Sequence, residues 1–117
     1  MTEVNRTFPT ELLTIQAPVE NVAIPESDFT SEELAYFATR SDPKGSKAAR
    51  SLAKQLLRDW LQTNFGSAPA ASDLAIISDG KPPGLICDQL PHRIGINISL
   101  AHSATHAACA LLIEEKL

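Results

Sequence analysis

A chain of 117 residues with 44% hydrophobic and 21% charged side chains and a formal net charge of −4 is long enough for one core and too short for two. No window approaches the roughly 20 apolar residues that span a bilayer. The opening MTEVNRTFPTELL carries acids early and no apolar run, unlike a secretory signal. The expectation is a single cytoplasmic domain over residues 1–117, loose at 1–10, with no membrane partner. Cys87 and Cys109 lie in apolar, strand-like runs rather than in a C-x-x-C pair, as expected of buried, reduced thiols. Charge is unevenly placed. Residues 1–39 hold seven acids against Arg6, whereas residues 40–59 hold six bases against Asp42 and Asp59. A local basic field in an acidic chain suits an anionic partner of limited size and not bulk nucleic acid.

In chain order, Glu11–Val22 has a strand-like centre at Leu12–Ile15, which Pro18 confines to an edge or ends. Thr30-Ser31-Glu32-Glu33 reads as a capping box opening a short helix through Leu34, Tyr36 and Phe37. Asp42-Pro43-Lys44-Gly45 then breaks it. From Ser46 to about Asn64, Ala49, Leu52, Ala53, Leu56 and Trp60 recur at three- and four-residue steps and predict one apolar helix face. Lys47, Arg50, Lys54 and Arg58 fall within roughly 80° on the other side, as a solvated outer stripe would. Gly66 supplies the stop. Leu74–Ile77 and Leu85–Cys87 read as a hairpin around Asp79-Gly80-Lys81-Pro82-Pro83-Gly84. The two longest apolar runs, Ile94–Leu100 and Ala107–Ile113, are joined closely enough to pair antiparallel. The fold class expected is α+β: a small antiparallel sheet on one long helix, with a short helix beside it.

Few residues carry obvious chemistry. His102 and His106 are four apart but flank a turn, and His92 is the only third imidazole, so zinc is not indicated. Ser99 or Ser103 beside His102 lacks the G-x-S-x-G elbow of a hydrolase. Lys81 in its Gly-Lys-Pro turn is a mobile cation suited to phosphate, and His102 can donate to such a phosphate or cap its own turn.

In order, Phe29-Thr30-Ser31-Glu32-Glu33-Leu34, Ala49-Arg50-Ser51-Leu52 running to Leu57-Arg58, Gly80-Lys81-Pro82 and Asn97-Ile98-Ser99-Leu100-Ala101-His102-Ser103 resemble the 4′-phosphopantetheinyl transferases. The likeness covers roughly residues 29–113. It is close to the N-terminal lobe of the surfactin-synthetase-activating type and to the short holo-acyl-carrier-protein synthases. It implies transfer of 4′-phosphopantetheine from coenzyme A to a serine of an acyl or peptidyl carrier protein, in fatty acid or polyketide synthesis. Carried over residue by residue, Arg50, Lys81, Ser99 and His102 become the coenzyme A site. The catalytic group stays unassigned, with Lys54 its one candidate, and Lys54, Lys47 or Arg58 would assist at the pyrophosphate or face an acidic carrier. The resemblance also implies Mg2+ held by carboxylates, and here the chain departs from it. Gln16 and Ala17 stand near the first acidic position, and Lys54-Gln55-Leu56 stands where the short synthases have K-E-A. Gln55, with Asp59 one turn on, is what remains as a metal candidate. A lone lobe is expected to form a homodimer or homotrimer with its ligand at the junction. The alternatives are a degenerate relative that binds coenzyme A or a carrier protein without transfer, and a partner subunit without a ligand.

Overall fold

In a computed structural model, residues 10–77, 84–86 and 94–115 are described. Strand β1 (Glu11–Pro18) is followed by two short 3-10 turns, then by helix α1 (Ser31–Ala38) and helix α2 (Lys44–Phe65). Strands β2 (Ala75–Ile77), β3 (Gly84–Ile86), β4 (Ile94–His102) and β5 (His106–Glu115) complete the chain. The α+β expectation holds, with one refinement. The strands form two antiparallel sheets, β1-β5-β4 and the hairpin β2-β3.

Alternation explains the larger sheet. Ala107, Cys109, Leu111 and Ile113 of β5 point to one side and are buried, as are Ile94 and Ile98 of β4, while Leu13, Ile15 and Ala17 of β1 pack against the same cluster. Helix α2 lies on that side, touching all three strands. Pro18 is the last paired residue of β1, opposite His106. Proline fits there because β1 is an edge strand, where a missing N–H breaks no ladder. The opposite side of the sheet carries Leu12, 67% exposed and the largest exposed apolar side chain among the described residues.

The helices begin and end where their chemistry dictates. Thr30 Oγ1 accepts from the Glu33 amide at 3.1 Å and Glu33 Oε1 accepts from the Thr30 amide at 2.9 Å, which is the expected capping box. Helix α2 starts at Lys44, two residues earlier than the periodicity suggests. Pro43 ends the break and sits as the N-cap, a place where proline's lack of an N–H and fixed φ are harmless. Gly66 closes α2 with φ 80°, a left-handed conformation that glycine adopts without steric cost.

The basic stripe of α2 corrects the expectation of a solvated outer face. Arg50 and Lys54 are only 3% and 2% exposed. They point toward α1 and the smaller sheet, and Glu33, itself 0% exposed, is the reason they can. Lys54 Nζ donates to Glu33 Oε1 at 2.6 Å, to the Asp28 carbonyl at 2.7 Å and to the Ala71 carbonyl at 3.0 Å, so all three of its protons are used. Of the other two bases, Lys47 lies over the Phe37 ring, and the exposed Arg58 donates from Nε to the Pro69 carbonyl. Burial therefore reaches around most of α2, taking in Ala48, Leu57 and Leu61 beyond the expected face, while Leu56 is only half-buried.

Removing one partner of a buried ion pair leaves the other charge uncompensated. Glu33→Ala is expected to lower unfolding free energy by about 3–5 kcal/mol, read from urea denaturation, whereas Glu33→Gln combined with Lys54→Met should lose distinctly less. A single-variant loss no larger than that of the double would show that the pair contributes nothing specific. Burial also pushes the Cys109 thiol up from 9.0 to about 11. Because the folded value is the higher one, this group's contribution to stability is whole below about pH 9 and drains away as pH rises through about 11. In a Cys87→Ala background, Cys109 should stay silent to a thiol reagent at about pH 8 until urea unfolds the chain. The alkaline loss of stability should shrink in Cys109→Ala.

Candidate functional site

Strand β4 ends at His102, and three residues, Ser103-Ala104-Thr105, turn the chain into β5. The turn is tighter than the Ala101–His106 connection expected from sequence. Ser103 Oγ accepts from the amides of Thr105 and His106 at 3.2 and 3.1 Å, and the Ser103 amide donates to the His106 carbonyl at 2.8 Å. Thr105 Oγ1 lies 3.0 Å from His106 Nδ1. From the other side, the Val19 amide donates to the Thr105 carbonyl at 2.8 Å. The end of β1 therefore braces the turn. With Ser103 Oγ holding two backbone amides, the serine is a turn element rather than an activated nucleophile.

The brace sets the imidazole of His102 against the first turn of α2. A Cβ built on Gly45 would fall 2.6 Å from His102 Nδ1 and 3.2 Å from its Cβ, so this approach requires glycine. His102, Ser103, Ala104, Lys44, Gly45, Asp42 and Val19 enclose a cavity of about 460 Å³. No side chain caps α2 at its N-cap, although the Lys44 amide lies 3.4 Å from Asp42 Oδ1. First-turn amides without an intrahelical acceptor, the positive end of a 22-residue helix, a lysine and an imidazole on one cavity are the features that accept an anion such as a phosphate. Neither Lys44 nor Gly45 stood out in the sequence as a site residue. The signal available was the Asp42-Pro43-Lys44-Gly45 segment, which read as a helix break and is also a helix start.

The other carried-over residues are dispersed. Ser99 lies three residues from His102 in β4 and so projects from the opposite face of the sheet. There it lines a shallow depression with Thr14, Gln16 and Ala110. Arg50 points inward. Its Nε donates to the Ile76 carbonyl at 3.1 Å, Nη1 donates to Ser46 Oγ at 2.6 Å, and the guanidinium lies over the Tyr36 ring at 4.8 Å. Desolvation holds its pKa below the ordinary value, opposed by Tyr36 and Glu33. Lys54 is likewise lowered by desolvation, against the pull of Glu33. Its protons are committed within the fold and cannot also serve a substrate in this arrangement. Lys81, His92 and Cys87 lie outside the described residues.

Gln55 and Asp59 are exposed on α2 and line a second cavity, of about 530 Å³, together with Asp28, Ser51 and Arg58. Their donors are oxygens, as a hard cation prefers. Among the described residues, however, no three His, Cys, Asp or Glu side chains are grouped to hold a metal. One amide and one carboxylate on a helix surface do not by themselves build a magnesium site.

The Gly45–His102 contact makes a direct prediction. Gly45→Ala should cost about 1–3 kcal/mol through overpacking, measured in urea, and His102→Ala in the same chain should restore most of it. An equal loss in both backgrounds would mean that the glycine serves some other need.

No family model and no curated protein matches this sequence. Solved structures do. The acyl carrier protein synthase of Mycobacterium tuberculosis is 19% identical with a TM-score of 0.66, covering 89% of this chain and 96% of that one. The holo-[acyl-carrier-protein] synthase of Thermotoga maritima is 22% identical with a TM-score of 0.73, over 91% of this chain and 63% of that one. The ACPS–CoA complex of Chronobacterium ammoniagenes is 14% identical with a TM-score of 0.75, over 94% of this chain and all of that one. At such identities the likeness is one of architecture, and on that ground this chain has the fold of the acyl-carrier-protein synthases.

Proposed function

We propose that this protein binds coenzyme A and transfers its 4′-phosphopantetheine arm to a serine of an acyl or peptidyl carrier protein. The near full-length fold likeness to acyl-carrier-protein synthases carries the reading, since one of the structures it matches is a coenzyme A complex. Within this chain the reading centres on the start of α2. A phosphate of coenzyme A would take the first-turn amides of α2, Lys44 and the His102 imidazole, and would displace the Asp42 carboxylate from the Lys44 amide. Lys81 is assigned to the same ligand, as the family pattern implies. Arg50 and Ser99 are retained only as residues acting at a distance, because one is buried in the α1–α2 interface and the other faces away from His102. The described residues do not build a magnesium site, so no step is assigned to a metal.

A second reading has its own support: binding of coenzyme A or a carrier protein without transfer. Gln55 stands where the short synthases carry a glutamate, and a neutral amide is a poorer ligand for a hard cation. Assembly into a homodimer or homotrimer belongs to the proposal under either reading, with the exposed sheet face around Leu12 as its surface.

Intact mass of an apo carrier protein, after incubation with this protein, coenzyme A and magnesium, tests the transferase. A gain equal to the phosphopantetheine group is expected, with His102→Ala slowing its appearance about tenfold or more. Asp42→Asn should tighten binding of 3′,5′-ADP in the same protein. No gain on any carrier, with a retained thermal shift from coenzyme A, would establish the binding module. Neither signal would refute both.

A further inference from the structure

Ile76 lies in β2, which among the described residues pairs with β3 alone. Its backbone groups are nevertheless both satisfied, and by side chains. The Ile76 amide donates to Glu33 Oε2 at 3.0 Å, and the Ile76 carbonyl accepts from Arg50 Nε at 3.1 Å. A carboxylate that accepts beside a guanidinium that donates reproduces the two contacts a neighbouring strand would make on an open edge. We propose that Glu33 and Arg50 form a side-chain clamp standing in for a third strand, and that the β2–β3 hairpin opens as a unit of its own when the clamp releases.

Two observations carry this. Among the described residues the hairpin has no ladder partner in the β1-β5-β4 sheet, so opening it leaves the described hydrogen bonds of the larger sheet whole. Both clamp residues are themselves held from the helix side. Ser46 Oγ and the rings of Tyr36 and Phe37 position Arg50, while the Thr30 amide and Lys54 position Glu33. Arg50 is thus a positioning residue that acts through Ile76. This assignment does not depend on coenzyme A.

Native-state hydrogen exchange across low urea concentrations tests it on the intact chain. The amides of β2 and β3 should exchange through one opening with little urea dependence, at lower free energy than the amides of β5. Arg50→Lys keeps the charge but replaces the fork of donors, and it should speed exchange of the hairpin amides about tenfold or more while β5 remains better protected than they are. Ser46→Ala should act in the same direction more weakly, and it decides the question alone if Arg50→Lys does not fold. Hairpin amides that exchange together with β5, on the same urea slope, would overturn the separate unit. Hairpin rates unchanged in both variants would overturn the clamp.

Discussion

The burial of Glu33 is the constraint on which the arrangement rests. One carboxylate closes the start of α1, neutralises a lysine of α2 and satisfies a backbone amide of β2. A charge withdrawn from water is tolerable only when its hydrogen-bonding capacity is filled, and here three separate elements must be in place to fill it. The carboxylate therefore contributes specificity of arrangement more than net stability. Apolar side chains of similar volume would pack as well, but they would not require α1, α2 and β2 to meet at one point.

The same logic divides the molecule into two halves of different character. On one side of α2, the three-stranded sheet is held by alternating Ile, Leu, Ala and Cys side chains, with no buried charge. On the other, Glu33, Arg50, Lys54 and Ser46 bind α1 to the hairpin, with aromatic rings from Phe29, Tyr36 and Phe37 laid against the cations, while Leu74 and Ile76 join the common apolar core. Hydrophobic contact is forgiving of small shifts, whereas hydrogen-bonded charge is not. The polar half fixes where β2 lies; the apolar half supplies the bulk of the core.

Much of this was legible in the sequence, and the failures have physical causes. The capping box, the long helix, its glycine stop and both hairpins follow from local rules, because cap chemistry, periodicity and turn residues act over a few positions. The inward turn of Arg50 and Lys54 was not legible. A basic stripe looks the same whether water or a distant carboxylate receives it, and Glu33, already explained as a cap, gave no sign of a second task. In the site, His102 was singled out correctly as lying beside a turn, but its packing against Gly45 joins residues 57 positions apart in sequence. Ser99 illustrates the reverse: adjacency in a motif suggested a shared site, and the two-residue period of a strand separates it from His102.

The pairing of β1 with β5 has a consequence for how the chain comes to be folded. Glu11 lies opposite Ile113 and Ile15 opposite Cys109, so an early-synthesised strand has its partner among the last of the described residues. During synthesis β1 must wait, its backbone groups hydrated and its apolar side chains uncovered, until β5 leaves the ribosome. Helices α1 and α2, with contacts closer in sequence, can form in the interval. The acids and proline that flank β1 keep a waiting strand from pairing with its neighbours. Threading it beside β5 is then the step that closes the sheet and braces the turn beside His102.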